Sequence, residues 1–564
     1  MKRYKSYIKT AMCMALALAF TACSDEYMND MNTDPSKAEN IDPNSQLTFA
    51  ELQTYGDLGM IEIYRSYIGA FTQQLMGCWN TTNYGGQHKI DNNEMNRFWT
   101  NLYTTGIKNL VDVEVKTEGD ENKVNIHAAA VIYKVYLMSI ITDTYGDAPY
   151  SEAARGFISG MTSPRYDTQE EIYNSFFTEL TEAAAALDDK KDEITGDVIF
   201  NGDIRKWKKL ANSLRMRYAM RISDVSPQKA QEEFEKAFTD PAGYMTSADD
   251  DALIEYMELT FNFGQEAYTD YRRNALSQLY FGNDPANNQT YICSTFFNTL
   301  KDNDDPRTFA LTRCYFDKGL TQSNPNNRID LTDEMLELGA QFNPSKPGEF
   351  WYEPWPDNGY WSEIIADLKE RYPDNTNYSN PWLQDATRPK LAQNFLKSDN
   401  PGVVMTYAEV EFLLAEAKLK GWNVGSTTVE QHYENGVRAS MAFLVDNYDC
   451  EIDNQAINDY IANHPISALS DEGKKEAINT QAWILHFHNL SECWANIRRS
   501  GYPKLKSPAE YGYAADKLTG GYDIPVRLCY PILESSYNKE GYQEALDRMG
   551  GTNSWNIPVW WDKE

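Results

Sequence analysis

Apolar residues recurring at helical spacing constrain the fold of this chain more than any other feature. From Asp203 to Ile222, Trp207, Leu210, Ala211, Leu214 and Tyr218 share one helical stripe, and Lys206, Lys208, Lys209, Arg215 and Arg217 fall largely off it. Asp203 is placed to cap the N-terminus. From Tyr407 to Leu419 the pattern returns, with Tyr407, Val410, Leu413, Leu414 and Ala417 on one side and Glu409, Glu411 and Glu416 outside the stripe. A second helix, roughly Val429 to Val445, follows the Gly421 to Thr428 connector, which predicts an αα-hairpin.

The same reading pairs Asn125 to Thr144 with Glu170 to Leu187, and the Trp207 helix with Pro227 to Phe238. Helix pairs at such intervals predict a mostly α, tetratricopeptide-like helix-pair bundle, although the residue signature of that repeat is not present. Between about Asp249 and Asn400 the helical period is weak, and Pro, Asn, Asp, Gly and aromatic residues take over. These are long, irregular, loop-rich insertions, and their aromatic content argues for function over disorder.

The N-terminus addresses the chain. Lys2, Arg3, Lys5 and Lys9 precede an apolar run from Ala11 to Phe20, the plan of a secretory signal peptide. As a helix that run rises only about 15 Å, roughly half a bilayer's hydrocarbon core, so it is read as removable. Phe20-Thr21-Ala22-Cys23 resembles a bacterial lipobox, which makes residues 1–22 the signal and Cys23 an acylated anchor. The polar stretch that follows, residues 23–45, reads as a flexible tether, leaving 46–564 as one helical body. No later apolar run reads as a membrane span.

The formal charge of −31 becomes about −35 without the four basic residues of the signal. Such a surface repels phosphate backbones, so nucleic-acid binding is excluded. Cys78, Cys293, Cys314, Cys450, Cys493 and Cys529 are scattered with no C-x-x-C pair; they are either buried thiols or, for some, disulfide partners. The 37 tyrosines and 13 tryptophans against 23 phenylalanines favour rings with a polar edge, as wet aromatic surfaces require.

Several segments in order resemble the SusD/RagB family of nutrient-binding lipoproteins. They begin with Asp34-Pro35 and the following helix to Gly77, then Thr142-Asp143-Thr144-Tyr145-Gly146-Asp147-Ala148-Pro149-Tyr150, and Phe200-Asn201-Gly202-Asp203 leading into Lys206-Trp207. Asp305-Pro306-Arg307, the Tyr407 to Ala417 segment, Arg498-Arg499-Ser500-Gly501-Tyr502-Pro503, Ile524-Pro525-Val526-Arg527 and Gly550-Gly551-Thr552-Asn553-Ser554-Trp555 complete the series. Gly146 is expected to end its helix in the left-handed region, Pro149 to prevent its resumption, and Asp143 and Asp147 to serve the turn. The resemblance implies an almost all-helical protein on the outer face of the outer membrane. It also implies a SusC-like TonB-dependent barrel as partner, with glycan, or in some members peptide, trapped between the two.

Glycans need exposed rings for their C–H faces and polar side chains for their hydroxyls. Two stretches have that composition. In the first, after Gly77, the candidates are Trp79, Asn80, Asn83 and Tyr84. In the second, from Phe350 to Trp361, they are Trp351, Tyr352, Trp355, Tyr360 and Trp361, with Tyr378 and Trp382 weaker; the competing reading for both is aromatic packing. Asp249-Asp250-Asp251 and Asp302-Asn303-Asp304-Asp305 lack EF-hand spacing and are read as turns, with structural calcium the alternative; no cofactor or catalytic metal is expected. The chain has no H-E-x-x-H, G-x-S-x-G or phosphate-binding glycine loop, and a glycosidase carboxylate pair has no sequence signature, so a binding protein is preferred over a hydrolase.

Overall fold

The computed structural model describes residues 41–77, 81–260, 270–281, 290–317, 328–330, 345–348, 366, 369–371, 373, 389–512 and 523–563. Cys23 and the signal lie outside them. Chain order opens with the Pro43–Gly56 helix, capped by the Asp42 carboxylate on Asn44 N–H. The stretch read as a tether to residue 45 therefore loses its last three residues to a helix, because Asp42-Pro43 is a cap followed by proline at the first helical position.

The predicted helices form at Val124–Tyr145, Gln169–Ala186, Ile204–Arg221, Pro227–Thr239, Tyr407–Leu419 and Val429–Tyr448. Each packs on its predicted partner, and Ile107–Thr117, not singled out by period, pairs with Val124–Tyr145. Asp471–Leu485 closes on Tyr407–Leu419 and is followed by Leu490–Ser500. The Asp203 cap is present, accepting from Arg205 N–H at 2.9 Å. A large apolar core runs from Leu47 to Trp561, so both ends of the described chain contribute to it.

Val124–Tyr145 corrects one expectation: at 22 residues it is long and apolar enough to cross a membrane. It is apolar all round because it is covered by other helices, as a core helix must be. It ends at Gly146 with φ 95° and ψ −132°, a conformation open to glycine but outside the expected left-handed helical region. Tyr150 packs edge-on against Phe176.

Between 249 and 400 the described residues form only short elements, among them the helices Ala275–Phe281, Ser294–Lys301 and Arg307–Leu311. The strands are paired in twos. Leu75–Gly77 runs antiparallel to Thr290–Ile292, and Gly402–Met405 antiparallel to Ala252–Ile254 with a register shift after Val403. Gly402 is required there, since a Cβ would stand 2.6 Å from the Tyr55 ring.

Charge lies deep in the body. Arg217 Nη2 donates to Glu409 at 2.7 Å, Arg221 Nη2 to Glu492 at 2.5 Å, and Arg499 to both Glu416 oxygens at 2.6 and 2.7 Å. Burial alone would raise the glutamates, but Arg217 and His486 hold Glu409 at about 2, and Arg499 does the same for Glu416. Asp143 is part of this interior and not a solvated turn: Tyr173 Oη donates to it at 2.5 Å and Trp561 Nε1 at 2.9 Å. The described tyrosines are also mostly interior, with Tyr55, Tyr64, Tyr67, Tyr133, Tyr173 and Tyr218 buried and their hydroxyls bonded to protein atoms. The tyrosine excess thus serves core packing with internal polar partners among the described residues.

Candidate ligand-binding site

The first candidate stretch leaves the strand at Gly77. Trp79 and Asn80 lie outside the described residues, and Asn83 is described by its backbone alone, in the Thr81–Gly86 π-helical turn. Tyr84 is half-buried, its ring 5.9 Å from that of Tyr67 and its centroid 5.5 Å from Lys89 Nζ. Burial, together with Asp91 and Glu94, pushes its phenol up, so it remains a neutral donor at any physiological pH. Gly85 fixes the turn against the body: a Cβ would lie 2.8 Å from the carbonyl oxygens of both Ser66 and Tyr67.

Beneath this turn lies a bed of rings. Phe71 packs on Trp494 at 5.4 Å and on Trp555 at 6.0 Å, and Trp555 also meets His88 at 6.2 Å and Tyr67 at 6.3 Å. Phe71 and Trp494 also line a 510 Å³ cavity, with Ile497, Pro503, Leu505 and Pro525 among its other walls. A second, of 410 Å³, lies between helices, where Lys134 Nζ sits 2.8 Å from Glu114 and 3.0 Å from Glu179. Its central charges satisfy one another.

The second candidate stretch, with Trp351, Tyr352, Trp355, Tyr360 and Trp361, lies outside the described residues, as do Tyr378 and Trp382. Ser345 before it and Pro389 well beyond it are described, and both join the strand pair that ends at Gly77. Gly77 is paired with Thr290, Cys293 N–H donates to Gln74 O at 3.0 Å, and Ser294 N–H donates to Ser345 O at 2.7 Å. Ile292 N–H donates to Pro389 O at 2.8 Å. The chain around Gly77, Thr290, Ser345 and Pro389 is therefore gathered at one two-stranded sheet.

Residues that sequence reasoning missed hold this junction. Gln73, at φ 54°, accepts from Thr295 Oγ1 at 2.7 Å, Thr295 and Tyr511 share a 3.0 Å hydroxyl contact, and Gln74 Nε2 donates to Trp483 O at 2.7 Å. No motif singles out two glutamines; their role follows from burial that obliges every polar atom to find a partner.

The acidic clusters are structural where described. Asp250 binds Lys209 Nζ at 2.8 Å, Asp251 accepts from Tyr407 N–H at 2.6 Å, and Asp305 pairs with Arg307 at 2.6 Å. Burial, with Asp250 and Asp249 nearby, raises Asp251 to about 7. Among the described residues no group of three His, Cys, Asp or Glu side chains could hold a metal. Cys293, Cys450, Cys493 and Cys529 are buried free thiols, and Cys314 is buried as well. His488 is stacked on Tyr448 at 4.6 Å and is held at about 3 by burial, so it stays neutral in the core.

Residues 38–327 match the family described as "Starch-binding associating with outer membrane", and residues 376–562 match "Susd and RagB outer membrane lipoprotein". A solved structure titled "Bacteroidetes AC2a SusD-like" is 46% identical, with 93% of this chain and 100% of that chain covered and a TM-score of 0.85. A solved chitin-binding protein is 31% identical, with the same coverage and a TM-score of 0.73. A chitin-binding SusD homologue from Flavobacterium johnsoniae, 21% identical over 93% of this chain and 99% of that chain, has a TM-score of 0.68 and shares the fold. No curated protein sequence matches significantly. With one family description covering more than half its length and a 46% identical SusD-like structure matched end to end, the chain belongs to the SusD/RagB family.

Proposed function

We propose that the chain is a surface lipoprotein, anchored at Cys23 after removal of residues 1–22, that binds glycan and passes it to a SusC-like TonB-dependent barrel without cutting it. The observation that carries this reading is the convergence of Gly77, Thr290, Ser345 and Pro389, which brings the residue leading into the first aromatic stretch to one junction with chain before and after the second. Trp79, Asn80, Asn83 and Tyr84 form one part of the proposed site, and Trp351, Tyr352, Trp355, Tyr360 and Trp361 the other. Ring faces stack on sugar and the amides bond hydroxyls. The 31% identical relative is described as chitin-binding, which makes chitin oligosaccharides the first ligands to offer.

Calorimetric titration of the protein without residues 1–22 with chitin-derived, starch-derived and peptide ligands tests this. Saturable binding to one glycan class, no product released, and loss of affinity in Trp355→Ala plus Trp361→Ala with unchanged thermal unfolding are expected. Binding to peptides alone would transfer the cargo to the family's peptide-binding branch. Glycan hydrolysis lost on a single carboxylate substitution would make the chain an enzyme.

A further inference from the structure

The first helix of the described chain is fastened to the body along one face. Asn44, Thr48 and Glu51 recur at successive turns of Pro43–Gly56, and each meets the chain that leads into the Ile204–Arg221 helix. Thr195 N–H donates to Asn44 Oδ1 at 2.9 Å, Thr48 Oγ1 donates to Gly196 O at 2.7 Å, and Val198 N–H donates to Glu51 Oε2 at 2.9 Å. The first two contacts are open to solvent, whereas Glu51 is fully buried.

Glu51 Oε1 is shielded from water and receives no hydrogen bond from a donor of the described residues. Within its hydrogen-bond reach is a second acid, Asp197, which is buried as well. Both oxygens of Asp197 are already engaged. Oδ1 accepts from Ile199 N–H at 2.8 Å and Phe200 N–H at 3.1 Å, and Oδ2 from Gly202 N–H at 2.9 Å and Trp207 Nε1 at 2.8 Å. Four donors make Asp197 the acceptor, so the two carboxyls can lie together only if Glu51 holds a proton and gives it to Asp197.

The other titratable groups around Glu51 offer no cation in its place. Tyr133 and Tyr256 face it as phenols that burial keeps neutral; Tyr133 shares a 2.6 Å hydrogen bond with Thr54, and Tyr256 donates to Leu52 O at 2.9 Å. On the Ile107–Thr117 helix, Asp112 is bound by Gln46 at 2.8 Å and by Lys116 at 2.6 Å.

We propose that Glu51 and Asp197 share one proton and that this pair is a pH-sensitive clasp, which holds the first helix on residues 195–202 while the proton is bound and loosens it when the proton is lost. Burial first, and Asp197 second, raise the Glu51 carboxyl well above its ordinary value, against the pull of the Val198 N–H. The sign follows from linkage. An opened clasp exposes Glu51, which then titrates near 4.5, so above that pH each further unit favours the open form about tenfold until the closed clasp itself loses its proton. Because this helix opens the described chain, the clasp governs the end of the body nearest the proposed anchor; it does not depend on acylation or cargo.

Hydrogen exchange read by mass spectrometry on the full chain in detergent tests the clasp. In the parent, protection of residues 44–52 and 195–202, corrected for the intrinsic exchange rate, should fall about tenfold from pH 5 to 6 and again from pH 6 to 7. Glu51→Gln can donate to Asp197 and accept from Val198 N–H without titrating, and should keep its protection over that range. The same fall in both chains, or none in the parent, would overturn the proposal. A Glu51→Gln chain that does not fold would also count against it, since Gln makes the bonds of the protonated acid. Infrared difference spectra of the two chains at pH 6 locate the proton. A carboxylic-acid carbonyl band present in the parent alone is expected, because Asp143, Asp251 and Glu534, also raised by burial, are common to both. Without that band, Glu51 is ionised and the shared proton does not exist.

Discussion

The helical interior and the junction beside Gly77 solve the same problem, holding polar groups away from water, by opposite means. In the interior, Arg217, Arg221 and Arg499 each meet a carboxylate in a direct ion pair, and the elements joined are far apart in sequence. At the junction, backbone groups of Leu75–Gly77, Thr290–Ile292, Ser345 and Pro389 pair with one another, assisted by Gln73, Gln74 and Thr295. Long charged side chains let helices keep their spacing while their backbones stay internally bonded. Short strands need each other's backbones, so the junction depends on close approach and on small residues. The interior should therefore fail through charge, and the junction through volume.

The largest effect should come from Arg217→Ala, which leaves Glu409 buried without its partner. Loss of about 3–5 kcal/mol in urea unfolding is expected. Since the folded Glu409 and Glu416 titrate at about 2, below their unfolded values, their contribution is full above about pH 4.5 and is lost as pH falls towards 2. A midpoint for Arg217→Ala equal to that of the parent would break the contrast at its stronger end.

Asp251 has the opposite sign. Its folded value of about 7 lies above the unfolded one, so stability falls as pH rises from about 4 to 7 and then levels. Asp251→Asn can still accept from Tyr407 N–H but carries no charge; it should gain on the order of 2–4 kcal/mol at pH 8 relative to the parent and almost nothing at pH 4. Equal gains at both values would show that the side chain is not ionising in place.

At the junction's margin, Gly85→Ala should cost about 1–3 kcal/mol through the Cβ driven against Ser66 and Tyr67 carbonyls, and should weaken glycan binding by displacing the turn that carries Asn83 and Tyr84. Unfolding and calorimetric titration of one sample read both. The smallest effect is expected from Tyr84→Phe, with stability changed by no more than about 0.5 kcal/mol, because the half-buried ring keeps its packing on Tyr67. A several-fold loss of glycan affinity with that unchanged stability would place its hydroxyl on ligand.

Much of the scaffold was legible. Tyr407–Leu419 has the bounds its stripe predicts, and Val429–Tyr448 runs three residues past its predicted end at Val445, to Asp449, whose left-handed conformation at φ 51° stops it. Less of the site was legible. Tyr84 is beside a packed aromatic bed, but Trp555, which underlies it, comes from the opposite end of the chain, and no local pattern joins residues that distant. Asp143 was misread for the same reason: beside a helix end it resembles a turn residue, and only Tyr173 and Trp561, brought in by folding, make it a buried acceptor.

Periodicity by itself determined which segments are helices and which pair with their neighbours, because a helix's apolar stripe is local and must be covered. Motif order carried the family resemblance. Tertiary structure alone decided that most of the described tyrosines are spent on the core, that buried arginines bind carboxylates remote in sequence, and that Gly77, Ser345 and Pro389 share one junction. Those outcomes depend on which distant polar atoms meet once water is expelled, and that demand for partners is set by the assembled interior, not by any single segment.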